Sequence, residues 1–310
     1  MVDTLLTSSD LHPVLVDVGA SGGAPACWRP IARHATYLCF DPDARDRVTR
    51  DDRRFRRTVR VDRIVAATAA DTTQLYLTAN PHCSSTLVPA TVALADYTFA
   101  DRFRVVGTQQ VASVTLAQAC ADAGLATIDW LKLDTQGTDL RIFASLPPAL
   151  QHSVLALDCE PGLIAAYTGE DDFASTHSAV LRAGFWPIKL EVLGAVRACS
   201  LVSAGRAVAE RTFPTSPAWV EARYLRSLAS LAAHDADRRS YLLLWLFALL
   251  NDQVGFAHDC AVVCARRFGS DRDSLALDRL TRARVRGYTA RLPLVLLRRA
   301  LGRVWQRLAD

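Results

Sequence analysis

Acidic side chains end several apolar runs of this chain, where a parallel sheet would bring them together. The acids that close these runs are Asp17, Asp41, Asp134 and Glu160. Because ligands of such sheets bind at the carboxyl ends of the strands, we expect these carboxylates around one crevice. Carboxylates there can accept ribose hydroxyls, take a proton from a reacting hydroxyl or hold a cation. The spacing therefore predicts a ligand site at one edge of a sheet.

A glycine-rich turn follows the first of these acids. Gly19 and Gly23 can adopt backbone angles that other residues resist, and they let a ligand approach the main chain. Ser21 can cap the next helix, whose free N–H groups favour negative charge. Asp41 follows at the distance of an acid that binds a ribose 2′-hydroxyl. This pattern predicts a cofactor that contains a nucleoside.

Asp17 distinguishes between two such cofactors. A carboxylate immediately before the turn would repel the pyrophosphate of NAD and attract an ammonium group. S-adenosylmethionine carries an ammonium group and a ribose but no phosphate. We therefore predict that this cofactor is bound by Asp17, Gly19, Ser21, Gly23 and Asp41. The alternative is that Asp17 only caps a loop.

Five segments, taken in order, resemble the FkbM-type S-adenosylmethionine-dependent methyltransferases. They are Asp17–Gly23 (the family's D-x-G-A-N-x-G), Phe40–Asp43 (F-E-P or F-D-P), Asn80–Thr86, Trp130–Gly137 (F-L-K-I-D-V-Q-G) and Leu157–Pro161 (V-E-V-E). The resemblance covers about residues 12–204 and is specific as an ordered set, although Ser21 stands where Asn is commoner. It implies a methyltransferase that acts on a hydroxyl of a saccharide or natural product.

Four residues are candidates for the transfer step: Asp134, Glu160, His82 and Lys132. In-line methyl transfer needs an aligned acceptor, and a carboxylate or imidazole can take the proton of its hydroxyl. Gln136 can contact the cofactor or the acceptor through its amide. We assign no metal ligand unless the reaction uses a divalent cation. In that case Asp134 and Glu160 would hold it, and their oxygens suit Mg²⁺.

Two of these candidates have an ordinary structural interpretation as well. Lys132 lies inside an apolar run and shares its face with Asp134. It either forms a half-buried ion pair that joins two strands, or it tunes a nearby carboxylate or meets the acceptor oxygen. His82 is either a base or an ordinary loop histidine.

The apolar runs predict an α/β fold with a Rossmann-like, doubly wound sheet. The resemblance makes this a class I methyltransferase sheet that closes with an antiparallel hairpin. The predicted helices are 115–123 and 173–183, and the predicted strands are 14–18, 36–40, 60–66, 128–134, 154–159, 185–192 and 196–203. The hairpin is predicted to turn at Gly194 and Ala195.

Two domains are predicted, a methyltransferase domain over residues 1–211 and an all-helical extension over residues 212–310. Ser216 is predicted to cap the first helix of the extension, with Pro217 at its first position. The extension ends in an amphipathic segment, Leu292–Leu308, and nine arginines but no acid lie between Arg279 and Arg307. This segment is a packed cap, a homodimer surface or a helix that lies on an anionic membrane.

Composition points to a cytoplasmic protein, with peripheral contact at the inner face of a membrane as an option. The eight cysteines form no CxxC pair, the start of the chain lacks a signal-peptide pattern, and the longest apolar run, Tyr241–Leu250, is too short to span a bilayer. A net charge of only +4 argues against a nucleic-acid partner. The expected partner is a small-molecule or glycan acceptor.

Two other functions stay open at this point. A nicotinamide-dependent oxidoreductase would need glycine or an apolar residue in place of Asp17, and it would need a hydride-transfer set such as Tyr-x-x-x-Lys, which the sequence lacks. A catalytically silent scaffold with a methyltransferase-like fold would bind a partner through its helical extension. The intact glycines and strand-end acids disfavour loss of the cofactor site.

Overall fold

A sheet of seven strands forms the centre of the chain's first unit. The computed structural model describes residues 2–20, 23–40, 53–197, 205–290 and 292. The chain divides into two compact units, Met1–Ala236 and Asp237–Asp310. The strands are β1 Val14–Val18, β2 Thr36–Phe40, β3 Arg57–Val61, β4 Ile64–Val65, β5 Thr72–Thr78, β6 Val105–Val114, β7 Trp130–Leu133, β8 Ala156–Cys159, β9 Phe185–Ala195 and β10 Ser216–Arg226.

The large sheet has the order β3-β2-β1-β7-β8-β10-β9. Its first five strands are parallel, and β10 runs antiparallel to both β8 and β9. All residues of β1, β2 and β8 are buried, as expected for central strands covered on both faces. A smaller sheet has the order β4-β6-β5. The α/β class with a mainly parallel sheet is therefore confirmed.

The strand order changes direction between β1 and β7. The chain moves outward from β1 to β3, and then returns to the other side of β1 with β7 and β8. In open α/β sheets the crevice beside such a reversal is where ligands bind. The carboxyl ends of β1 and β7 are thus the expected edge of a site.

Helices connect and flank these strands. They are α1 Val2–Ser8, α2 Thr91–Leu94, α3 Leu116–Asp122, α4 Asp139–Ala144, α5 Pro148–Ser153, α6 Phe173–Arg182, α7 Arg206–Thr212 and α8 Leu228–Ala233. The predicted helices 115–123 and 173–183 correspond to α3 and α6. Asp172 caps α6, since its carboxylate accepts the Ser175 N–H at 2.7 Å. The core cluster contains Val16, Leu38, Leu131, Leu157 and Phe143.

An antiparallel pair of strands closes the sheet, but the predicted turn at Gly194 and Ala195 is wrong. β9 continues through Gly194 and Ala195, which pair with Pro217 and Ser216 of β10. A register shift after Pro217 lets the ladder accommodate a residue without an N–H. Residues 198–203 of the predicted strand lie outside the described residues.

The expectation that residues from Ser216 onward are helical is also wrong. Ala218, Val220, Ala222 and Tyr224 are buried at every second position, and the residues between them are not. This period of two is the pattern of a strand, and it outweighs the capping signal of Ser216 before a proline. In this part of the chain the helices begin at Leu228, and β10 belongs to the first unit. The predicted 60–66 strand is likewise divided between β3 and β4.

The second unit is helical, with α9 Arg238–Leu250, α10 Val254–Phe268 and α11 Arg272–Ala290. The apolar residues Tyr241–Leu249 are buried. Trp245 of α9 donates its indole N–H to Thr281 of α11 at 2.9 Å. No helix among the described residues could cross a membrane. The predicted 292–308 helix lies outside the described residues except for Leu292.

Candidate active site

Two cavities meet at the carboxyl ends of the central strands. The strand-end cavity has a volume of about 290 Å³ and lies at the ends of β1, β2 and β7, where Gly19, Phe40 and Asp134 line it. The aromatic cavity, of about 420 Å³, has four aromatic side chains in its lining: Phe99, Phe103, Tyr167 and Trp219. We call these four residues the aromatic wall. Each cavity is of the size that small ligands occupy.

Of the residues that the structure describes, three line both cavities: His82, Gln136 and Glu160. Each comes from a different segment, namely the 80–86 loop, the turn after β7 and the end of β8. The sequence predicted all three as site residues, and the fold brings them together. A ligand in one cavity therefore faces a ligand in the other across this shared set of side chains.

Gly19 allows the close approach of β1 to the turn after β7. Its φ is +88°, and a Cβ at this position would lie 2.2 Å from the Asp134 carbonyl oxygen. A side chain would thus clash with backbone that cannot move away, in a conformation that L residues avoid. Glycine is required here by packing as well as by ligand approach.

The side chain of Gln136 is fixed by hydrogen bonds on both sides. Its amide N–H donates to Asp134 at 2.8 Å, and its amide oxygen lies 3.0 Å from the Tyr167 hydroxyl. The backbone of Gln136 has a φ of +55°, which is unusual for a residue with a side chain. The Ser85 hydroxyl donates to its carbonyl oxygen at 2.7 Å. These contacts hold the strained turn so that one amide spans the junction of the cavities.

Lys132 joins two strands through carboxylates. Its ammonium lies 3.3 Å from Asp17 on neighbouring β1 and 3.7 Å from Asp134. This confirms the half-buried ion pair, since the Lys132 side chain is 21% exposed and that of Asp17 is 0% exposed. Burial lowers the pKa of Lys132, but the two carboxylates outweigh it and raise the pKa above its usual value. Lys132 is thus charged and orients Asp134.

Asp17 lies inside β1 and lines neither cavity. It also accepts a hydrogen bond from the Tyr37 hydroxyl at 3.0 Å. Burial raises the pKa of this carboxyl, and the contacts with Lys132 and Tyr37 oppose the rise. Asp17 supports the site through Lys132, and its contact with a cofactor ammonium stays a prediction.

Glu160 has the electrostatics of a proton acceptor. Its pKa is raised to about 8, first by burial and then by the nearby Asp134 carboxylate, while Lys132 opposes the rise. A group that titrates close to neutral pH can both accept and release a proton at working pH. Glu160 therefore has the properties that the sequence assigned to a base.

Asp139 fixes the position of Glu160, and the sequence analysis missed it. This buried residue begins α4, and its carboxylate accepts the backbone N–H groups of Glu160 and Thr135, each at 2.9 Å. It also accepts the Thr135 hydroxyl at 2.5 Å. A second acid five residues after Asp134, at a helix start, was the available signal. Tyr167 was missed too, because nothing in its local sequence places it beside Gln136.

A third, charged cavity of about 90 Å³ also reaches Glu160. Its charged lining residues are Lys132, Asp158, Glu160, Lys189, Glu221 and Arg223. Arg223 forms a two-point ion pair with Asp158, with both contacts at 2.7 Å. Glu160 thus lines the charged cavity as well as the two larger ones.

The remaining predicted site residues either do not line the two large cavities or lie outside the described residues. Ser21 and Asp41 are among the residues that the structure does not describe, although Phe40, just before Asp41, lines the strand-end cavity. Gly23 has a φ of +78° and lines neither large cavity. In the described part of the chain, no cluster of three His, Cys, Asp or Glu side chains is arranged to hold a metal ion.

Comparison with known proteins identifies the family of the chain. The model of the methyltransferase FkbM domain matches residues 17–185, which is more than half of the chain. No curated protein and no solved structure shows a match to the chain. The matched segment includes the three residues shared by the two large cavities. The chain therefore belongs to the FkbM methyltransferase family and is a methyltransferase.

Proposed function

We propose that this protein is an S-adenosylmethionine-dependent O-methyltransferase with two facing ligand sites. The strand-end cavity would hold the cofactor, and the aromatic cavity would hold the acceptor. The observation that carries the proposal is that His82, Gln136 and Glu160 line both cavities. Methyl transfer needs the two ligands to meet in this way, with the reacting atoms aligned.

The lining of the strand-end cavity suits an adenosyl group. Phe40, Ile64, Val65 and Leu75 supply apolar surface for a base, and Ser84, Ser85, Asp134 and Gln136 supply polar groups. Asp41 follows Phe40 in the sequence and is the proposed ribose ligand. When bound, the cofactor supplies an activated methyl group on a sulfonium. The residues of the chain must then bring one acceptor hydroxyl onto that carbon.

We propose that Glu160 takes the proton of the acceptor hydroxyl. It lies at the junction of the cavities, and its raised pKa suits this role. Asp139 fixes the backbone of Glu160, while Lys132 and Gln136 hold Asp134 beside it. His82 is the second candidate base. The charged cavity lets Glu160 pass its proton to water after transfer.

Within the described part of the chain, Asp134 and Glu160 are the pair of residues that suits a divalent cation. Asp134 and Glu160 both line the strand-end cavity, so Mg²⁺ could be held there by two carboxylates, substrate oxygens and water. The ammonium of Lys132, 3.7 Å from Asp134, already supplies positive charge at this place. We therefore propose a reaction that needs no metal, and unchanged activity in a chelator would support this.

A thermal-unfolding scan with S-adenosylmethionine, S-adenosylhomocysteine and NAD tests the cofactor. A ligand at about 100 times its Kd stabilises the folded state by about 2.7 kcal/mol. The midpoint should rise by several degrees with the two adenosyl sulfur compounds and stay unchanged with NAD. A rise with NAD alone would indicate an oxidoreductase, and no rise with any of them would favour a silent scaffold.

A matched pair of variants makes this test specific. Asp41→Ala should weaken binding of S-adenosylhomocysteine without unfolding the protein. Asp122→Ala removes an acid on the exposed surface of α3 and should leave binding unchanged. Equal affinity of wild type and Asp41→Ala would contradict the proposed ribose contact.

We also propose that the protein acts in the cytoplasm, at times on an anionic membrane. The seven described cysteines form no disulfide with one another, which supports a reducing compartment. α11 exposes Leu275, Val285 and Tyr288 on an arginine-rich helix, as interfacial helices do. A homodimer through the same helix is the competing proposal.

A further inference from the structure

Thr98 carries a buried hydroxyl for which the described part of the chain offers no hydrogen-bond partner. The residue is 4% exposed, and its Oγ1 has no hydrogen-bond partner among the residues that the structure describes. A buried polar group without a partner is unfavourable, and in a folded protein it calls for an explanation. Thr98 also lines the aromatic cavity. An acceptor in that cavity would supply the missing partner.

The backbone around Thr98 is fixed. Its N–H donates to the Val196 carbonyl oxygen at 2.9 Å, and the preceding Tyr97 forms a β-bridge with Arg197. Arg197 in turn forms an ion pair with Asp96 at 2.6 Å. Since these contacts hold the backbone at Thr98 and just before it, rotation of the side chain is enough to turn the hydroxyl toward a ligand.

The surroundings of Thr98 indicate which chemistry the cavity accepts. Arg102 is the only lysine or arginine among the described residues of the lining, and Glu210 pairs with it at 2.9 Å. The described lining therefore offers no unpaired lysine or arginine to a phosphate or carboxylate. The aromatic wall offers apolar faces, with Phe99 and Phe103 at a centroid distance of 5.3 Å. Such a lining suits an uncharged ligand with an apolar face.

We propose that Thr98 hydrogen-bonds a second hydroxyl of an uncharged, polyhydroxylated ring acceptor whose apolar face lies against the aromatic wall. This inference rests on the proposed function, because it takes the aromatic cavity as the acceptor site. One acceptor hydroxyl faces Glu160 at the junction, and another meets Thr98 on the wall formed with β9 and β10. Thr98 is thus a positioning residue that selects which hydroxyl reaches the methyl group.

Two sugars that differ by one carboxylate test the class of acceptor. Methyl α-D-glucopyranoside and the anion of methyl α-D-glucopyranosiduronic acid are the probes, added to wild-type protein with S-adenosylhomocysteine, and binding is followed by saturation-transfer NMR. The uncharged sugar should bind at least about 10-fold more tightly than the anion. Tighter binding of the anion, or binding of neither sugar, would overturn the assignment.

Three variants test Thr98 itself. Thr98→Val removes the hydroxyl but keeps the shape, and it should weaken binding of the uncharged sugar by about 3- to 10-fold, as expected for one neutral hydrogen bond. Thr98→Ser keeps the hydroxyl and should restore binding. Thr176→Val is the matched control, because its Oγ1 is also buried without a partner but Thr176 lies on α6, outside the cavity. Equal affinities of wild type and Thr98→Val would overturn the role of Thr98.

Cofactor affinity, measured separately by calorimetry, distinguishes this inference from the proposed function. Thr98→Val should bind S-adenosylhomocysteine as tightly as the wild type and should unfold at the same temperature or higher, since the hydroxyl has no hydrogen-bond partner among the described residues. A wild type that does not bind the cofactor would contradict the proposed function. A wild type that binds it, with sugar binding unaffected by Thr98→Val, would contradict this inference alone.

Discussion

Asp139 accepts the backbone N–H of Glu160 at 2.9 Å, which ties the start of α4 to the end of β8. The other oxygen of the same carboxylate accepts the backbone N–H of Thr135. One buried carboxylate therefore sets the distance between the two strand-end turns that carry Asp134 and Glu160. The alignment of the proposed base depends on a residue that lines neither large cavity.

Asp139→Asn should impair catalysis more than cofactor binding. An amide has one accepting oxygen, so one of the two turns loses its partner, and a displaced base lowers kcat by about 10- to 100-fold. A buried N–H left without an acceptor should also cost about 1–3 kcal/mol of stability. Steady-state kinetics and urea unfolding measure the two effects.

Asp172→Ala is the control for that variant. It removes the cap of α6 and should cost about 1 kcal/mol of stability with kcat unchanged. If both variants lowered kcat equally, general destabilisation would explain the result, and the positioning role of Asp139 would be wrong.

The reaction should be limited by ionisation of Glu160. Because the base must be deprotonated and its pKa is about 8, kcat/KM should rise as the pH increases through that value and level off above it. Glu160→Gln should lower kcat by at least about 100-fold and remove this dependence. A variant that kept the pH profile of the wild type would assign the proton to another group, with His82 the next to test.

Replacement of Glu221 should shift the pH profile of kcat/KM. The Glu221 carboxylate lines the charged cavity and adds to the raised pKa of Glu160. Glu221→Gln should therefore move the rise in kcat/KM to lower pH. Glu191→Gln is the control, because Glu191 pairs with Lys189 at 2.6 Å but does not line that cavity. Identical shifts in both variants would show that surface charge alone is responsible.

Removal of Lys132 should destabilise the protein strongly. Lys132→Met leaves Asp17 buried without its cation, and breaking a buried ion pair in this way costs about 3–5 kcal/mol. The double variant Asp17→Asn with Lys132→Met should recover a large part of that loss, because the unpaired charge is gone. Urea unfolding of the two single variants and the double variant measures this coupling. Additive losses would contradict the pairing.

The basic C-terminal segment should bind anionic membranes at low salt. Wild-type protein is expected to sediment with vesicles that contain phosphatidylserine, and deletion of residues 290–310 should abolish this. Vesicles of phosphatidylcholine alone are the control. If the wild type stays in solution with both vesicle types, analytical ultracentrifugation can test the competing homodimer.

The sequence predicted the central strands and the shared site residues because both depend on local patterns. Buried strands such as Val14–Val18 appear in the sequence as short, mostly apolar runs. Acidic residues recur where these runs end, which is at the edge of the sheet. The hairpin partner could not be predicted in the same way. β10 follows β9 only after a long connection. It also begins with Ser216 and Pro217, a pair that is typical of the start of a helix. Asp139 and Tyr167 act through contacts between distant segments, which no local pattern reveals.

The residues that line the aromatic cavity are far apart in the sequence, so the ribosome synthesises them at different times. Its wall combines Phe99 and Phe103 with Trp219, whereas the described residues that line the strand-end cavity all come before position 161. During synthesis, the residues of the strand-end cavity are therefore complete well before Trp219 leaves the ribosome. A nascent or truncated chain can hold the elements of one site while it still lacks the other, so full specificity for the acceptor arises last.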